Sequence, residues 1–215
     1  MVALTEPRPL LVAREPAGDW KVAKLLEHFR RGNQLSDDGE FAGALAEYDA
    51  ALRSVPDDPA FLNNRGAALS RLGRDNDALA AYERVLLLSP DDPVALHNRG
   101  VALAQLGRYE EAVTAYDRAL TLMPDDAGTL ANLGLALAHL GHYVKALAIL
   151  NRSLEQGPGE AKVIAARRTV LDNILRGLRR SGVVSWAGGK PQGSNPPIPI
   201  TPGPPVSDYV IEDRW

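Results

Sequence analysis

The stretch Val94–Pro124, VALHNRGVALAQLGRYEEAVTAYDRALTLMP, decides the fold of this 215-residue chain. Its apolar residues recur every three to four positions on both sides of Gly107, which predicts two amphipathic helices joined by a turn. Glycine is favoured at such a turn because it adopts the left-handed backbone of a helix C-terminus at little cost. Pro124 ends the second helix. The stretch therefore predicts a helix–turn–helix unit.

This unit recurs along the chain at a constant spacing of 34 residues. Five columns keep the step through four copies: Gly32, Gly66, Gly100 and Gly134; Leu35, Leu69, Leu103 and Leu137; Gly39, Gly73, Gly107 and Gly141; Ala44, Ala78, Ala112 and Ala146; Pro56, Pro90, Pro124 and Pro158. A fixed period of this size is typical of stacked arrays, in which each unit buries its apolar face against its neighbours.

The period also divides the chain. A helical stripe after Pro158 has no second helix behind it, so we expect a terminal helix that covers the last apolar surface of the array. The predicted segments are an extended N-terminal arm (1–18), four units (19–58, 59–92, 93–126 and 127–160), a capping helix (161–180) and a Pro/Gly-rich tail (181–215).

The mid-helix glycines indicate a close crossing between the two helices of each unit. Glycine within a helix costs about 0.5–1 kcal/mol relative to alanine, so a repeated glycine needs a packing reason. We expect the alanine column to supply the small partner on the second helices, with Tyr48, Tyr82 and Tyr116 filling the next layer.

Acidic pairs follow three of the prolines, namely Asp57–Asp58, Asp91–Asp92 and Asp125–Asp126. Because they recur with the period, we interpret them as caps of the next helix rather than as catalytic or calcium-binding carboxylates.

The glycine, alanine and proline columns, with the leucines and tyrosines between them, resemble the tetratricopeptide repeat family in its consensus-like bacterial form. The resemblance covers about residues 21–160. It departs at two positions: His28 of the first copy stands where the other copies have a leucine, and Leu150 of the fourth copy stands where the others have a tyrosine. It implies an all-α, right-handed solenoid of about four helix pairs, whose first helices line a concave groove.

The resemblance places the lining of this groove at fixed positions around the mid-helix glycine. One of them holds an asparagine column, and a side-chain amide can both donate to and accept from the backbone of an extended peptide. The alternative is that each asparagine bonds only to the neighbouring helix. The predicted groove residues are Asn33, Asn63, Asn64, His97, Asn98, Val101, Asn132 and Leu135.

Some members of the family hold a carboxylate of a chaperone tail with lysines and asparagines. Asn33 and Asn64 match two of these clamp positions, but Phe29, Val94 and Asn98 stand where basic residues are needed. The sequence therefore does not predict chaperone-like recognition of that type.

The capping helix carries a cluster of arginines. They form either a solvated face or a contact for an anion or a partner: Arg167, Arg168, Arg176, Arg179 and Arg180.

Seven prolines between Pro191 and Pro205 indicate polyproline II or disorder in the tail.

We expect a non-catalytic scaffold or adaptor that binds a protein or peptide partner. The alternatives are an accessory subunit whose tail docks on an enzyme or assembly, and self-assembly by tail-in-groove contacts. The oligomeric state stays open.

The composition disfavours other classes of function. A net charge of −3 argues against nucleic-acid binding, and no apolar run is long enough for a membrane span. The chain has no cysteine, which fits the cytoplasm. Its four histidines form no metal-binding motif, and no catalytic signature is present. We therefore predict no cofactor, no metal and no catalysis.

Overall fold

A computed structural model describes residues 19–157 and 161–181. The predicted N-terminal arm and, apart from Ser181, the predicted Pro-rich tail lie outside these ranges, and so do the proposed dockings of that tail. The described residues up to Arg176 form one compact unit.

The described residues form nine α-helices and no β-strand, which confirms the predicted all-α class. In chain order they are α1 (Asp19–Asp37), α2 (Phe41–Leu52), α3 (Pro59–Arg71), α4 (Asp75–Leu88), α5 (Pro93–Gln105), α6 (Tyr109–Leu122), α7 (Ala127–His139), α8 (Tyr143–Gln156) and α9 (Ala161–Arg180). No helix in these ranges is both long and apolar enough to cross a membrane.

The helices pack in sequence, as expected of a solenoid. Each helix from α1 to α7 contacts the next, and the first helices α1, α3, α5 and α7 also contact one another in turn. A hydrophobic cluster extends from Leu69 in α3 to Val170 in α9. Val163 and Val170 of α9 are buried in this cluster together with Leu150 of α8. The assignment of residues to separate units stays a prediction.

The mid-helix glycines lie against tyrosine rings. A Cβ atom added to Gly100 would lie 2.5 Å from Tyr116 Cε1, and the same contact joins Gly32 to Tyr48 and Gly66 to Tyr82. We expected the tyrosines in the next layer, but they lie directly against the glycines, and in the fourth copy Leu150 and the Ala146 carbonyl oxygen lie against Gly134. The role of the alanine column as the small partner stays a prediction. The four alanines are fully buried, and the glycine makes room for the flat ring of the second helix.

The second glycine column ends each first helix. Gly39, Gly73, Gly107 and Gly141 have φ between 73° and 80°, the left-handed conformation that glycine adopts without strain. Around Gly107, the amide of Gly107 donates to Ala104 and that of Arg108 to Leu103, so two carbonyls at the end of α5 are satisfied.

The acidic pairs have two different roles. The second aspartate is the N-cap of the next helix: Asp92 accepts from the Ala95 amide at 2.9 Å. The first aspartate pairs with an arginine of a second helix, as Asp91 does with Arg118 at 3.0 Å. Sequence reasoning found the cap but missed the ion pair. The remaining members of the two series are Asp58 and Asp126 as caps, and Asp57–Arg84 and Asp125–Arg152 as pairs.

Replacing Gly100 by alanine should destabilise the fold by about 1–3 kcal/mol, because the new methyl group would overlap the buried ring of Tyr116. The midpoint temperature of thermal unfolding should then fall by at least about 2 °C. Gly177→Ala is the matched control, since a Cβ there meets nothing within 4 Å and should be neutral or stabilising. Equal melting temperatures for the two variants would contradict the ring contact.

The adjacent Asp91 and Asp92 allow a test of the two acidic roles. Asp92→Ala removes an N-cap and should cost about 1 kcal/mol. Asp91→Ala removes only an exposed ion pair and should cost less than about 0.5 kcal/mol. Urea unfolding of both variants measures the difference, and the reverse order of stabilities would refute this assignment.

Candidate functional site

The predicted groove residues all lie on α1, α3, α5 and α7. We call the surface formed by these four helices the first-helix face. In the described part of the chain no second helix contacts another second helix, so the array is packed more closely along the first-helix face. Whether this face binds a partner stays a prediction. The structure does divide the predicted residues into different environments.

Asn33 and Asn64 bind each other between neighbouring units. The Asn64 side-chain amide donates to Asn33 Oδ1 at 3.1 Å, and the Tyr48 hydroxyl donates to the same oxygen at 2.8 Å. For Asn64 the structure thus shows the second of the two predicted roles, a hydrogen bond to the neighbouring helix.

Asn98 and Asn132 differ from Asn64 although they occupy the same column. Both are half-buried, and neither side chain makes a hydrogen bond within the described ranges. The position that Asn33 occupies relative to Asn64 is held by Ala67 relative to Asn98 and by Val101 relative to Asn132. These apolar residues offer no acceptor, so the two amides keep their hydrogen-bonding capacity.

Asn63 is a further unsatisfied group. Its Oδ1 is buried and finds no hydrogen-bond partner among the described residues. A buried acceptor without a partner costs about 1–3 kcal/mol. It lies one repeat before His97, at the same position of its helix.

His97 takes part in a chain of hydrogen bonds at the start of α7. Asp126, the N-cap of α7, accepts from both the amide and the hydroxyl of Thr129. Because the hydroxyl has a single proton, Thr129 Oγ1 accepts the bond from His97 Nδ1 at 2.7 Å. Neutral His97 thus carries its proton on Nδ1, and its Nε2 is an acceptor without a partner in the described structure.

The pKa values agree with this arrangement. Burial lowers the pKa of His97, while the Asp126 carboxylate acts in the opposite direction to a lesser degree. The hydrogen bond from the Thr129 hydroxyl lowers the pKa of Asp126. His97 is therefore neutral and Asp126 charged at neutral pH.

A cavity of about 250 Å³ opens beside His97, between the start of α5, the end of α6 and the start of α7. We call it the His97 cavity. Its walls are mainly apolar, and two of them are widely exposed, Val94 at 55% and Met123 at 48%. The lining consists of Pro93, Val94, His97, Ala119, Met123, Asp126, Gly128 and Thr129.

Sequence reasoning placed His97 on the face but missed the cavity. The other walls come from the start of α5, the end of α6, the loop before α7 and the start of α7, which a comparison of single positions does not bring together. One signal was present. Gly128 stands where the second and third copies have Ala60 and Val94, and this lost side chain leaves the cavity open. A Cβ at Gly128 would lie 4.0 Å from His97 Cε1 and 3.6 Å from Asp126 Oδ2.

The arginines of α9 are mostly exposed. Arg167 is half-buried and lies 3.5 Å from Asn151 Oδ1, whereas Arg168, Arg176, Arg179 and Arg180 are exposed. Within the described ranges none of the five pairs with a carboxylate. The same ranges contain no group of three or more histidine, aspartate or glutamate side chains placed to hold a metal.

Comparison with known proteins identifies the family. The tetratricopeptide repeat model matches residues 57–124 and 91–157, and a second model described as TPR repeat matches residues 32–73. These matches cover more than half of the chain, which belongs to the tetratricopeptide repeat family. No curated protein matches the sequence.

Solved structures share the solenoid fold. MamA from Desulfovibrio magneticus RS-1 is 22% identical with a TM-score of 0.60 over 74% of this chain and 96% of its own. A chain of the APC/C hetero-tetramer Cut9–Hcn1 is 22% identical with a TM-score of 0.65 over 68% of this chain and 30% of its own. The first TPR domain of Spaghetti (RPAP3), bound to the HSP90 peptide SRMEEVD, is 26% identical with a TM-score of 0.53 over 55% and 94%.

The lowered pKa of His97 predicts a pH dependence of folding. The unfolded chain protonates this histidine at about pH 6.5, so between that pH and the lower folded pKa the native state binds fewer protons. The stabilising contribution is complete above about pH 6.5 and is lost as the pH falls through the folded pKa. Urea unfolding should show this loss, and His97→Phe should remove it. An NMR titration midpoint of the His97 ring at or above 6.5 would contradict the burial argument.

Proposed function

We propose that the chain is a non-catalytic interaction scaffold whose first-helix face binds an extended segment of a protein partner through Asn98 and Asn132. The observation that carries the proposal is the pair of half-buried amides, one repeat apart, that have no partner in the described structure. An asparagine amide matches the donor and acceptor of a peptide backbone. A segment lying along α5 and α7 would satisfy both.

The neighbours support this class of function. The first TPR domain of RPAP3 is bound to an HSP90 peptide and the second TPR domain of human RPAP3 is in complex with an HSP70 peptide, so domains of this fold bind short peptides. In the present chain the positions of the resembling carboxylate clamp carry Phe29, Val94 and Asn98 instead of basic residues. We therefore propose that an internal segment binds, rather than an acidic terminus of the chaperone type.

The other predicted site residues would support this binding. Val101 and Leu135 are half-buried and would provide apolar contact beside the two amides. Asn33, Asn63 and Asn64 would extend the face toward the first units. The exposed arginines of α9, such as Arg168 and Arg176, would contact acidic residues of the partner. The setting we propose is the cytoplasm, because a chain without cysteine has no disulfide to form.

The test is affinity purification with the full chain and its variants, with bound proteins quantified by mass spectrometry. Asn98→Ala combined with Asn132→Ala should reduce partner recovery at least about tenfold, since each lost charge-neutral hydrogen bond contributes about 0.5–1.5 kcal/mol. Asn76→Ala combined with Gln156→Ala is the matched control, because both of these side-chain amides are exposed on second helices. Equal recovery by the two double variants would remove the first-helix face from the proposal.

A further inference from the structure

We propose that the His97 cavity is a side-chain pocket for a tryptophan of the bound segment, whose indole N–H donates to His97 Nε2. The inference rests on the proposed function, because the first-helix face brings the segment to the cavity. It adds the chemical identity of one partner residue, which the two asparagines alone do not specify.

The size of the cavity favours one large side chain. About 250 Å³ lies just below the range of roughly 300–1,000 Å³ that is typical of sites for whole small-molecule ligands. The cavity opens to solvent beside Val94 and Met123, so a side chain can enter between these two residues without movement of the core.

The walls favour an aromatic ring. Pro93, Val94 and Ala119 provide aliphatic surface, and the Met123 thioether is a flexible group that makes favourable contacts with aromatic edges. Val94 and Met123 are about half exposed in the free chain. Covering them with a ring removes apolar surface from water, which stabilises the complex.

The polar side of the cavity selects a hydrogen-bond donor. Thr129 gives its proton to Asp126, and His97 gives its Nδ1 proton to Thr129, so Nε2 has only a lone pair to offer. An indole N–H is a donor without acceptor capacity and therefore matches Nε2. A phenylalanine would fill the cavity but leave Nε2 without water or partner, which is unfavourable. Asp126 disfavours an acidic side chain at the same place.

The probe is N-acetyl-tryptophanamide, titrated into the full chain and followed by NMR of the His97 ring and the Met123 methyl group. Two comparison probes test the hydrogen bond to His97: the 1-methylindole analogue, which lacks the N–H donor, and N-acetyl-phenylalaninamide, whose ring has no donor. We expect saturable shifts with the parent probe and binding at least about fivefold weaker for both comparison probes. Equal affinities for the parent and the 1-methyl analogue would overturn the role of His97.

Variants test the location. Gly128→Leu fills the cavity from a position where a Cβ has room, and it should abolish probe binding while circular dichroism stays helical. Gly177→Leu adds the same side chain at an open helical position and should bind as the parent chain does. Met123→Ser, at an exposed helix end, should weaken binding several-fold even if Gly128→Leu disturbs the fold. Unchanged binding in Met123→Ser or in a folded Gly128→Leu would place the probe elsewhere and overturn the pocket.

Failure of the pocket and failure of the proposed function are distinguishable. Asn98→Ala combined with Asn132→Ala should lose the protein partner but still bind the tryptophan probe, because neither asparagine lines the cavity. Loss of the probe in that double variant would contradict the assignment of the pocket. Absence of probe binding in the parent chain would overturn the pocket alone and leave the asparagine test unaffected.

Discussion

The contact between a mid-helix glycine and a tyrosine ring is the constraint on which the rest of the structure depends. It recurs at Gly32, Gly66 and Gly100, and in the fourth copy Leu150 takes the place of the ring against Gly134. A Cβ on the glycine would overlap the ring, so the glycine sets how closely the two helices of a unit approach. The ring also reaches the first-helix face, since the Tyr48 hydroxyl donates to Asn33 Oδ1.

Because the core residues repeat with the period, we look for functional differences between the units at the positions that depart from it. Asn33 satisfies Asn64, and the replacement of that acceptor by Ala67 and Val101 is what frees Asn98 and Asn132. In the same way, Gly128 departs from Ala60 and Val94, and the His97 cavity lies beside it. Each change is small and leaves the packing columns intact. An array can therefore acquire a binding surface without altering the contacts that stabilise it.

The period made the fold predictable, because helix ends, turns and caps each repeat the same local chemistry. Gly107 and Asp92 were assigned correctly from their neighbours in sequence alone. The direct contact between the mid-helix glycine and the tyrosine ring was not predicted, since periodicity shows that a close contact exists but not which residue makes it. The His97 cavity was not predictable in this way: its walls belong to three helices and a loop, and their juxtaposition depends on the packing of one unit on the next.

The two parts of the proposed site, the asparagine amides and the His97 cavity, would have different roles in recognition. Side-chain amides that bind a peptide backbone contribute affinity but distinguish little between sequences, because every residue has the same backbone groups. Specificity is a difference between affinities, and it needs a feature that penalises the wrong partner. The lone acceptor of His97, held in one tautomer by Thr129 and Asp126, is such a feature, since an apolar ring without a donor leaves it unpaired. A backbone-binding face next to a donor-selective pocket thus combines general affinity with a requirement at one residue.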